Sequence, residues 1–132
     1  MIEGGCLCGG VRYRYDGEIA EISICHCSQC RKAQGSAFAA VSPVAADRFH
    51  ILAGAELLRE YRSSPHKIRV FCARYGSPIY SALDQRPELK RLRLGTVDTP
   101  FVCDNAFHIY ADSKASWWEF DDRLPRFAGP KP

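Results

Sequence analysis

The chain has no long hydrophobic run and no strong excess of one charge. None of its apolar stretches approaches the 18 residues of a membrane-spanning helix, which excludes an ordinary transmembrane segment. The opening MIEGGCLCGG lacks the apolar centre of a secretory signal. With 18 basic and 15 acidic residues the net charge is only +3, and no basic run dominates either end. These absences predict a cytoplasmic protein without a membrane segment.

Repeats, linkers and strong helix signals are also scarce. The sequence contains no internal repeat, no low-complexity segment and no linker long enough to separate two domains. Its 132 residues, 46% of them hydrophobic, suffice for one domain with a sizeable core. We therefore expect a single domain over residues 1–132. The tail from about residue 123, with three prolines in RLPRFAGPKP, is expected to be irregular.

Short stretches of alternating and β-branched residues predict a mainly β fold. Predicted strands lie at 11–15, 20–25, 36–43, 49–54, 57–62, 67–72, 91–97 and 107–111. Turns are predicted near Gly54, at 63–65 and at 76–78. Residues 28–35 predict a short helix with Ser28 as its N-cap and Gly35 as its stop. Residues 87–92 predict a further helical turn that begins near Pro87.

Seven cysteines are the most informative residues, at positions 6, 8, 25, 27, 30, 72 and 103. An odd number fits a disulfide framework poorly. In a chain without a signal peptide, clustered cysteines bind metal more often than they form disulfides. The sequence therefore predicts metal binding.

The central motif CHCSQC places Cys25, Cys27 and Cys30 within six residues. Three thiolates so close together favour zinc, and three protein ligands leave the open fourth position of a catalytic site. The alternative is a closed site whose fourth ligand is Cys103 or His108. Three thiolates bring the charge of the complex to about −1. Such a centre activates water poorly and suits an incoming thiol, which indicates sulfur transfer or carbon–sulfur chemistry.

The residues around this motif allow two interpretations each. His26, between two ligands, is expected near the metal ligands or at the surface. Arg31 and Lys32 either lie on a solvated helix face or attract an anionic thiol such as glutathione. The basic stretch at 86–93 has no interleaved aromatic residues, so a strand with one basic face is favoured over a nucleic-acid site.

A second group joins Cys6 and Cys8 to a distant partner, for which Cys72 is the obvious candidate. FCARYGSP has the spacing of a zinc knuckle, but Tyr75 stands where the second cysteine is expected. Ionising a tyrosine at pH 7 costs about 4 kcal/mol, against about 2 kcal/mol for a cysteine. We expect this site to be weakened or empty, with thiols that can oxidise to a disulfide. The alternative is that Cys6 and Cys8 are ordinary buried thiols.

Together, GGCLCGGVRYRY, CHCSQCRKAQGSAFAA, FCARYGSPIYS, LRLGTVD and HIYADSKASWWEF resemble the glutathione-dependent formaldehyde-activating enzyme family. This family is also called the centromere protein V domain family, and the resemblance runs from about residue 4 to 120. It implies a β-tent fold of small antiparallel sheets held by zinc. It also implies a catalytic-type zinc on Cys25, Cys27 and Cys30. A structural-type zinc would lie on Cys6, Cys8 and Cys72, with Tyr75 at the family's fourth position.

The activity implied by this resemblance is the combination of formaldehyde with glutathione to S-hydroxymethylglutathione, classed as carbon–sulfur lyase chemistry. We therefore predict a zinc enzyme with one or two Zn²⁺ ions, acting on a small thiol or its aldehyde adduct. The alternative is a non-catalytic, zinc-stabilised binding module of the centromere protein V type. An enzyme would keep an open metal position and respond to glutathione. A binding module would have a closed site and salt-dependent retention on nucleic acid.

Overall fold

Ten strands and one short helix make up the fold in a computed structural model that describes all 132 residues. The helix, α1, spans Ser28–Gln34. The strands are β1 Ile2–Gly5, β2 Arg12–Tyr15, β3 Ile22–Cys25, β4 Ala39–Ala45, β5 Phe49–Ala53, β6 Leu58–Ser64, β7 Lys67–Cys72, β8 Pro78–Leu83, β9 Leu89–Arg93 and β10 Ala106–Ile109. Short 3-10 turns follow β4, β5, β9 and β10. None of the helices has the length and apolar character that crossing a membrane requires.

The strands form two sheets. A three-stranded antiparallel sheet has the order β1-β2-β5, and a seven-stranded sheet has the order β10-β3-β4-β9-β8-β7-β6. Every pair is antiparallel except β10 and β3, which run parallel. The fold is therefore mainly β, as the sequence predicts. The parallel pair matters because it brings β10, from late in the chain, beside the strand that ends in Cys25.

One predicted local structure is wrong, and one strand was not predicted. The helical turn predicted at 87–92 is largely strand, because β9 begins at Leu89 and pairs with β4 over five residues. Alternating Arg and Leu side chains suit a pleated strand whose two faces differ, and this pattern outweighs the proline start signal. The sequence analysis also treated 76–78 only as a turn, whereas β8 begins at Pro78.

The helix forms where the sequence predicts it, but its cap differs. Cys27, rather than Ser28, is the N-cap, and its Sγ accepts a hydrogen bond from the Cys30 N–H. Gly35 ends the helix in the left-handed conformation, at φ 61°, which glycine adopts without the cost that a Cβ imposes. The helix is therefore bounded by a sulfur at one end and by a glycine at the other.

The segment after residue 122 lies along β10. His108 N–H donates to the Pro125 carbonyl, and Phe127 N–H donates to the His108 carbonyl. A single parallel bridge joins His108 to Arg126. Further on, Tyr110 N–H donates to the Gly129 carbonyl. These backbone bonds bring Pro130, Lys131 and Pro132 to the rim of the main pocket.

Buried apolar side chains form two separate clusters. The larger has 12 buried residues, including Tyr13, Phe49 and Ile79, and also contains Cys6 and Cys72. The smaller has six, including Phe107 and Val41, and contains Cys25 and Cys30. Each predicted group of thiols is thus embedded at the margin of its own apolar core.

Candidate metal centre and pocket

The turn from β3 into α1 gathers three thiols. Cys25 is the last residue of β3, Cys27 caps α1, and Cys30 lies in the first turn of the helix. Their three Sγ atoms all lie within 4.8 Å of one another, and Cys25 and Cys30 are buried. We call these residues the pocket cluster. Because only His26 separates the end of β3 from the N-cap of α1, the chain itself holds the three sulfur atoms close together.

The pocket cluster opens into a cavity of about 800 Å³, large enough for a small organic ligand. One face of the seven-stranded sheet forms its floor, with Phe107 and Ile109 from β10, Ser23 from β3 and Val41 from β4. The start of α1 forms one side, and Pro130–Pro132 contribute to the rim.

Basic side chains dominate the charged lining of this pocket. Lys67 and Arg69 come from β7, Arg91 and Arg93 come from β9, and Lys131 lies at the rim, whereas Glu21 is the single acidic residue. Arg69 approaches the cluster most closely, with its two Nη atoms 3.8 and 4.0 Å from the Cys30 Sγ. The pocket therefore combines soft sulfur ligands with a surface that attracts anions.

The thiols of the pocket cluster are not equivalent. Hydrogen bonds from Cys25 and Cys27, together with the charges of Arg93 and Arg69, lower the pKa of Cys30. The same sulfur contacts, first with Cys27 and then with Cys30, raise the pKa of Cys25. These surroundings therefore favour a thiolate at Cys30 over one at Cys25. A cluster that already favours a thiolate is suited to a cationic soft metal.

Arg31 and Lys32 lie away from this pocket. Neither lines it, and the Arg31 Nε instead donates to the His26 carbonyl at 3.3 Å. Lys32 is exposed on the helix. Lys67 and Arg69 line the pocket although they were not predicted as site residues. A signal was present, because Lys67 and Arg69, like Arg91 and Arg93, alternate on strands and so share a face.

His26 is fully buried, so the interpretation of it as a surface residue is wrong. Its Nε2 lies 2.8 Å from the Nδ1 of His108, whose Nε2 lies 3.0 Å from a carboxylate oxygen of Asp122. Trp118 packs on the His26 ring with centroids 5.1 Å apart. Burial and the nearby His108 lower the pKa of His26. This chain of polar groups fixes the backbone between Cys25 and Cys27.

The two adjacent tryptophans differ in burial, and neither candidate fourth ligand reaches the metal cluster. Trp118 is packed, whereas Trp117 is 70% exposed. His108 faces His26 and Asp122, and the Cys103 Sγ contacts the Asn105 carbonyl at 3.9 Å. Neither joins the pocket cluster, and no fourth His, Cys, Asp or Glu ligand atom lies within the same spacing.

A second set of three thiols forms where the N-terminal hairpin meets the end of β7. The Sγ atoms of Cys6, Cys8 and Cys72 lie within 4.8 Å of one another, and those of Cys8 and Cys72 are 3.7 Å apart. We call these residues the knuckle cluster. Cys6 and Cys72 are buried, whereas Cys8 is partly accessible. The structure thus brings together the residues that the spacing suggested.

The knuckle turn forms without a second cysteine. Cys72 N–H donates to the Ser77 carbonyl at 3.1 Å, and Gly76 adopts φ 110°, a conformation that favours glycine. Tyr75 is 62% exposed and does not enter the space between the thiols. Burial raises the pKa of Cys6, but hydrogen bonds, chiefly from the Ser77 hydroxyl, lower it overall to about 6. The hydrogen bond from Gly10 N–H likewise lowers the pKa of Cys8.

Both clusters therefore fit a soft metal ion such as zinc by their chemistry. Each offers three sulfur ligands at short mutual distances, and each contains a thiol whose pKa is lowered. They differ in their surroundings. The pocket cluster faces a cavity with basic walls, whereas the knuckle cluster lies in a surface turn.

Comparisons with known proteins agree with this arrangement. The family model described as glutathione-dependent formaldehyde-activating enzyme matches residues 1–113. An uncharacterized lyase of Schizosaccharomyces pombe is 32% identical over 80 residues, which are 61% of this chain and 56% of that protein. The match thus spans little more than half of the yeast protein. A crystal structure of a Rhodobacter sphaeroides protein is similar in fold, with a TM-score of 0.62, 22% identity, and coverage of 75% of this chain and 90% of that one.

Proposed function

Because the chain belongs to the glutathione-dependent formaldehyde-activating enzyme family, we propose that it is a zinc-dependent carbon–sulfur lyase. Its substrate would be a small anionic thiol or the adduct of that thiol with an aldehyde, of the S-hydroxymethylglutathione type. The observation that carries the proposal is the position of three clustered thiols in the lining of an 800 Å³ pocket with basic walls. Cys25, Cys27 and Cys30 would hold the metal.

The chemistry of the donor set supports this assignment. A zinc ion held by three thiolates would accept an incoming thiol and keep it as a nucleophilic thiolate. In the forward direction a carbon–sulfur bond forms between the thiol and formaldehyde, and the thiol proton ends on the former carbonyl oxygen. In the reverse direction the same bond breaks, and aldehyde and thiol are released.

The walls of the pocket support an anionic substrate. Lys67 and Arg91 are half-buried on neighbouring parts of the sheet face, with no carboxylate partner in the protein. Glutathione carries two carboxylates, and a guanidinium binds a carboxylate through two parallel hydrogen bonds. We assign Lys67 and Arg91 to the substrate's carboxylates. This replaces the earlier assignment of that role to Arg31 and Lys32, which lie outside the pocket.

The first experiment is to count zinc per chain by native mass spectrometry, in the wild type and in Cys27→Ser. We expect about one zinc in the wild type, held at the pocket cluster, because the knuckle cluster has Tyr75 in place of its fourth cysteine. We expect almost no zinc in the variant. No zinc in the wild type, or an unchanged count in Cys27→Ser, would remove the zinc-enzyme proposal.

The second experiment is a calorimetric titration of the zinc-loaded protein with glutathione. Replacing Arg91 or Lys67 by Met should weaken binding about 10-fold each, because a hydrogen bond to a charged group contributes about 1.5 kcal/mol. Arg62→Met is the matched control, since Arg62 pairs with Asp84 at the surface. If glutathione does not bind while the protein is retained on nucleic acid in a salt-dependent manner, the centromere protein V type of binding module is the better description.

A further inference from the structure

Two arginines beside the pocket cluster have no acidic partner. The seven ion pairs of the protein use other basic residues. Arg69 and Arg93 nevertheless stand on the same sheet face as Arg91. Register places Arg69 opposite Ser81, and Ser81 opposite Arg91. The three arginines therefore concentrate positive charge on one sheet face, and none of them forms an ion pair with a carboxylate of the chain.

Arg93 is the most buried of these three arginines. Its side chain is only 2% exposed, and its Nη2 atom is buried without a hydrogen-bond partner. The Nε of Arg69 is likewise buried without a partner. A buried, unpaired guanidinium costs several kcal/mol, because it loses water without gaining a counter-charge. Guanidinium groups stay protonated in proteins, so the chain cannot relieve this cost by losing a proton.

The thiols of the pocket cluster are the groups that can supply the missing charge. The two Nη atoms of Arg69 lie 3.8 and 4.0 Å from the Cys30 Sγ. Arg93 lines the same cavity as Cys25 and Cys30. Its Coulombic interactions with these thiols are among those that shift the Arg93 pKa, which burial lowers to about 10. Three thiolates with one divalent ion carry a net charge of −1, and two of the three sulfur ligands, Cys25 and Cys30, belong to buried residues.

We propose that Arg69 and Arg93 are positioning residues that neutralise the metal–thiolate centre of Cys25, Cys27 and Cys30, and thereby set its affinity for the metal. This proposal rests on the proposed function only in requiring a metal at that cluster. Two guanidinium charges exceed the single negative charge of such a centre by one. The excess leaves the pocket attractive to one further anion, which is consistent with a thiolate or carboxylate ligand.

The test compares variants of Arg93 in a Cys8→Ser background, so that the knuckle cluster does not contribute to the measured zinc binding. Arg93→Met keeps the length of the side chain and removes its charge, whereas Arg93→Lys keeps a charge. Lys90→Met, the control, removes a half-buried charge from the opposite face of the same strand, where Lys90 lies over the Tyr80 ring. Zinc affinity is measured by competition with a chromophoric chelator, and unfolding temperatures are measured with and without zinc.

We expect Arg93→Met to weaken zinc binding about 10- to 100-fold, the usual loss when a group next to a metal ligand is removed. Arg93→Lys and Lys90→Met should stay within about threefold of the background. Without zinc, Arg93→Met should unfold at the same or a higher temperature, because an apolar side chain replaces a buried charge at little cost. A purely structural role of Arg93 would instead lower that temperature.

Three results would overturn the proposal: unchanged zinc affinity in Arg93→Met, an equal loss in Arg93→Lys, or an equal loss in Lys90→Met. Arg69→Met replaces Arg93→Met in the series if the latter does not fold. Failure of the proposed function looks different, because the wild type itself would then bind no zinc that Cys27→Ser removes.

Discussion

The two cysteine clusters have the same number of thiols and very different surroundings. The pocket cluster faces an 800 Å³ cavity, and its nearest charged groups are arginines on a sheet. The knuckle cluster lies in a turn beside Ser77 and the exposed Tyr75, and none of its cysteines lines that cavity. The same donor set can thus serve reactivity in one place and cross-linking of the chain in the other.

The supports beneath the clusters differ as well. A buried polar chain of His26, His108 and Asp122 holds the backbone of the pocket cluster. The knuckle cluster rests on the larger apolar core, which includes Cys6 and Cys72 themselves. Hydrogen bonds fix direction more strictly than apolar packing does. This difference matches a site that must aim its ligands and a site that must only hold them together.

The largest expected contrast is in metal content. Cys27→Ser should remove nearly all bound zinc, whereas Cys8→Ser should leave the count near one per chain, because a three-thiol knuckle binds zinc more weakly than a four-thiol one. Native mass spectrometry of both variants measures this. A wild type with about two zinc ions, one lost in each variant, would mean that the knuckle cluster binds metal without a fourth cysteine.

Adding a fourth thiol to the knuckle cluster should raise its zinc content towards that of the pocket cluster. Tyr75→Cys restores a fourth thiol, and zinc at 100 times its Kd then adds about 2.7 kcal/mol of stability. This corresponds to a rise in Tm of about 8 °C, measured by calorimetry with and without zinc. Tyr61→Cys, which places a thiol at another exposed tyrosine, is the control. Equal effects of the two substitutions would contradict a fourth ligand at position 75.

Oxidation should also separate the clusters. The sulfurs of Cys8 and Cys72 are 3.7 Å apart, and Cys8 is accessible. With hydrogen peroxide as oxidant, two thiols should give one disulfide and two waters, and the mass of the chain should fall by about 2 Da. Peptide mapping should find Cys8 joined to Cys72, and Cys8→Ser should abolish that product. A disulfide found first within the pocket cluster would contradict the expectation that the knuckle cluster oxidises more readily.

The smallest expected effect concerns the apolar core beneath the knuckle cluster. Burial raises the pKa of Tyr13 to about 12, and its hydroxyl pairs with that of Thr96 at 2.7 Å. Unfolded tyrosine ionises near pH 10, so the stability from neutral Tyr13 is complete below pH 10 and is lost between pH 10 and 12.

Tyr13→Phe should therefore lower the free energy of unfolding by about 1 kcal/mol at pH 7. It should also remove up to about 2.7 kcal/mol of the alkaline loss. Denaturant titrations at pH 8, 10 and 11.5 measure both quantities. Zinc content at the pocket cluster should be unaffected, and a change there would show that the two cores are coupled.

Much of the fold could be predicted from the sequence, because alternation is a local property. The strand at 67–72 and the start of the strand at Phe49 coincide with β7 and β5. β8 was missed because proline and glycine signal a turn equally well at the start of a strand. The parallel pairing of β10 with β3 joins residues about 84 positions apart, and no local pattern encodes such a partner.

The residues of the site also fall into those that local sequence predicts and those that only strand order brings together. The ligands of the pocket cluster lie within six residues, so spacing alone brought them together. Lys67, Arg69 and Arg91 reach the pocket through strand order, which the sequence does not reveal. Arg31 and Lys32 were chosen because they adjoin the motif in sequence, yet the helix turns them away from the cavity. Closeness in sequence therefore predicted the metal-ligand cluster within one turn, but it did not predict which basic residues line the pocket.

The sequence separation of the ligands has a consequence for how metal acts on folding. Cys25, Cys27 and Cys30 are close together even in a disordered chain, so that chain can already bind zinc. Metal that binds the unfolded state as well as the native one stabilises the native state less. The knuckle cluster instead joins Cys8 to Cys72 across 64 positions, and its ligands meet only after folding.

The two clusters should therefore be filled at different times during synthesis. The pocket cluster can capture zinc soon after residue 30 leaves the ribosome, before the later strands of the seven-stranded sheet exist. The knuckle cluster must wait for β7, and an ion held there would cross-link a structure that has already formed. Zinc at the pocket cluster would then be in place before β7 and β9 complete the pocket around it.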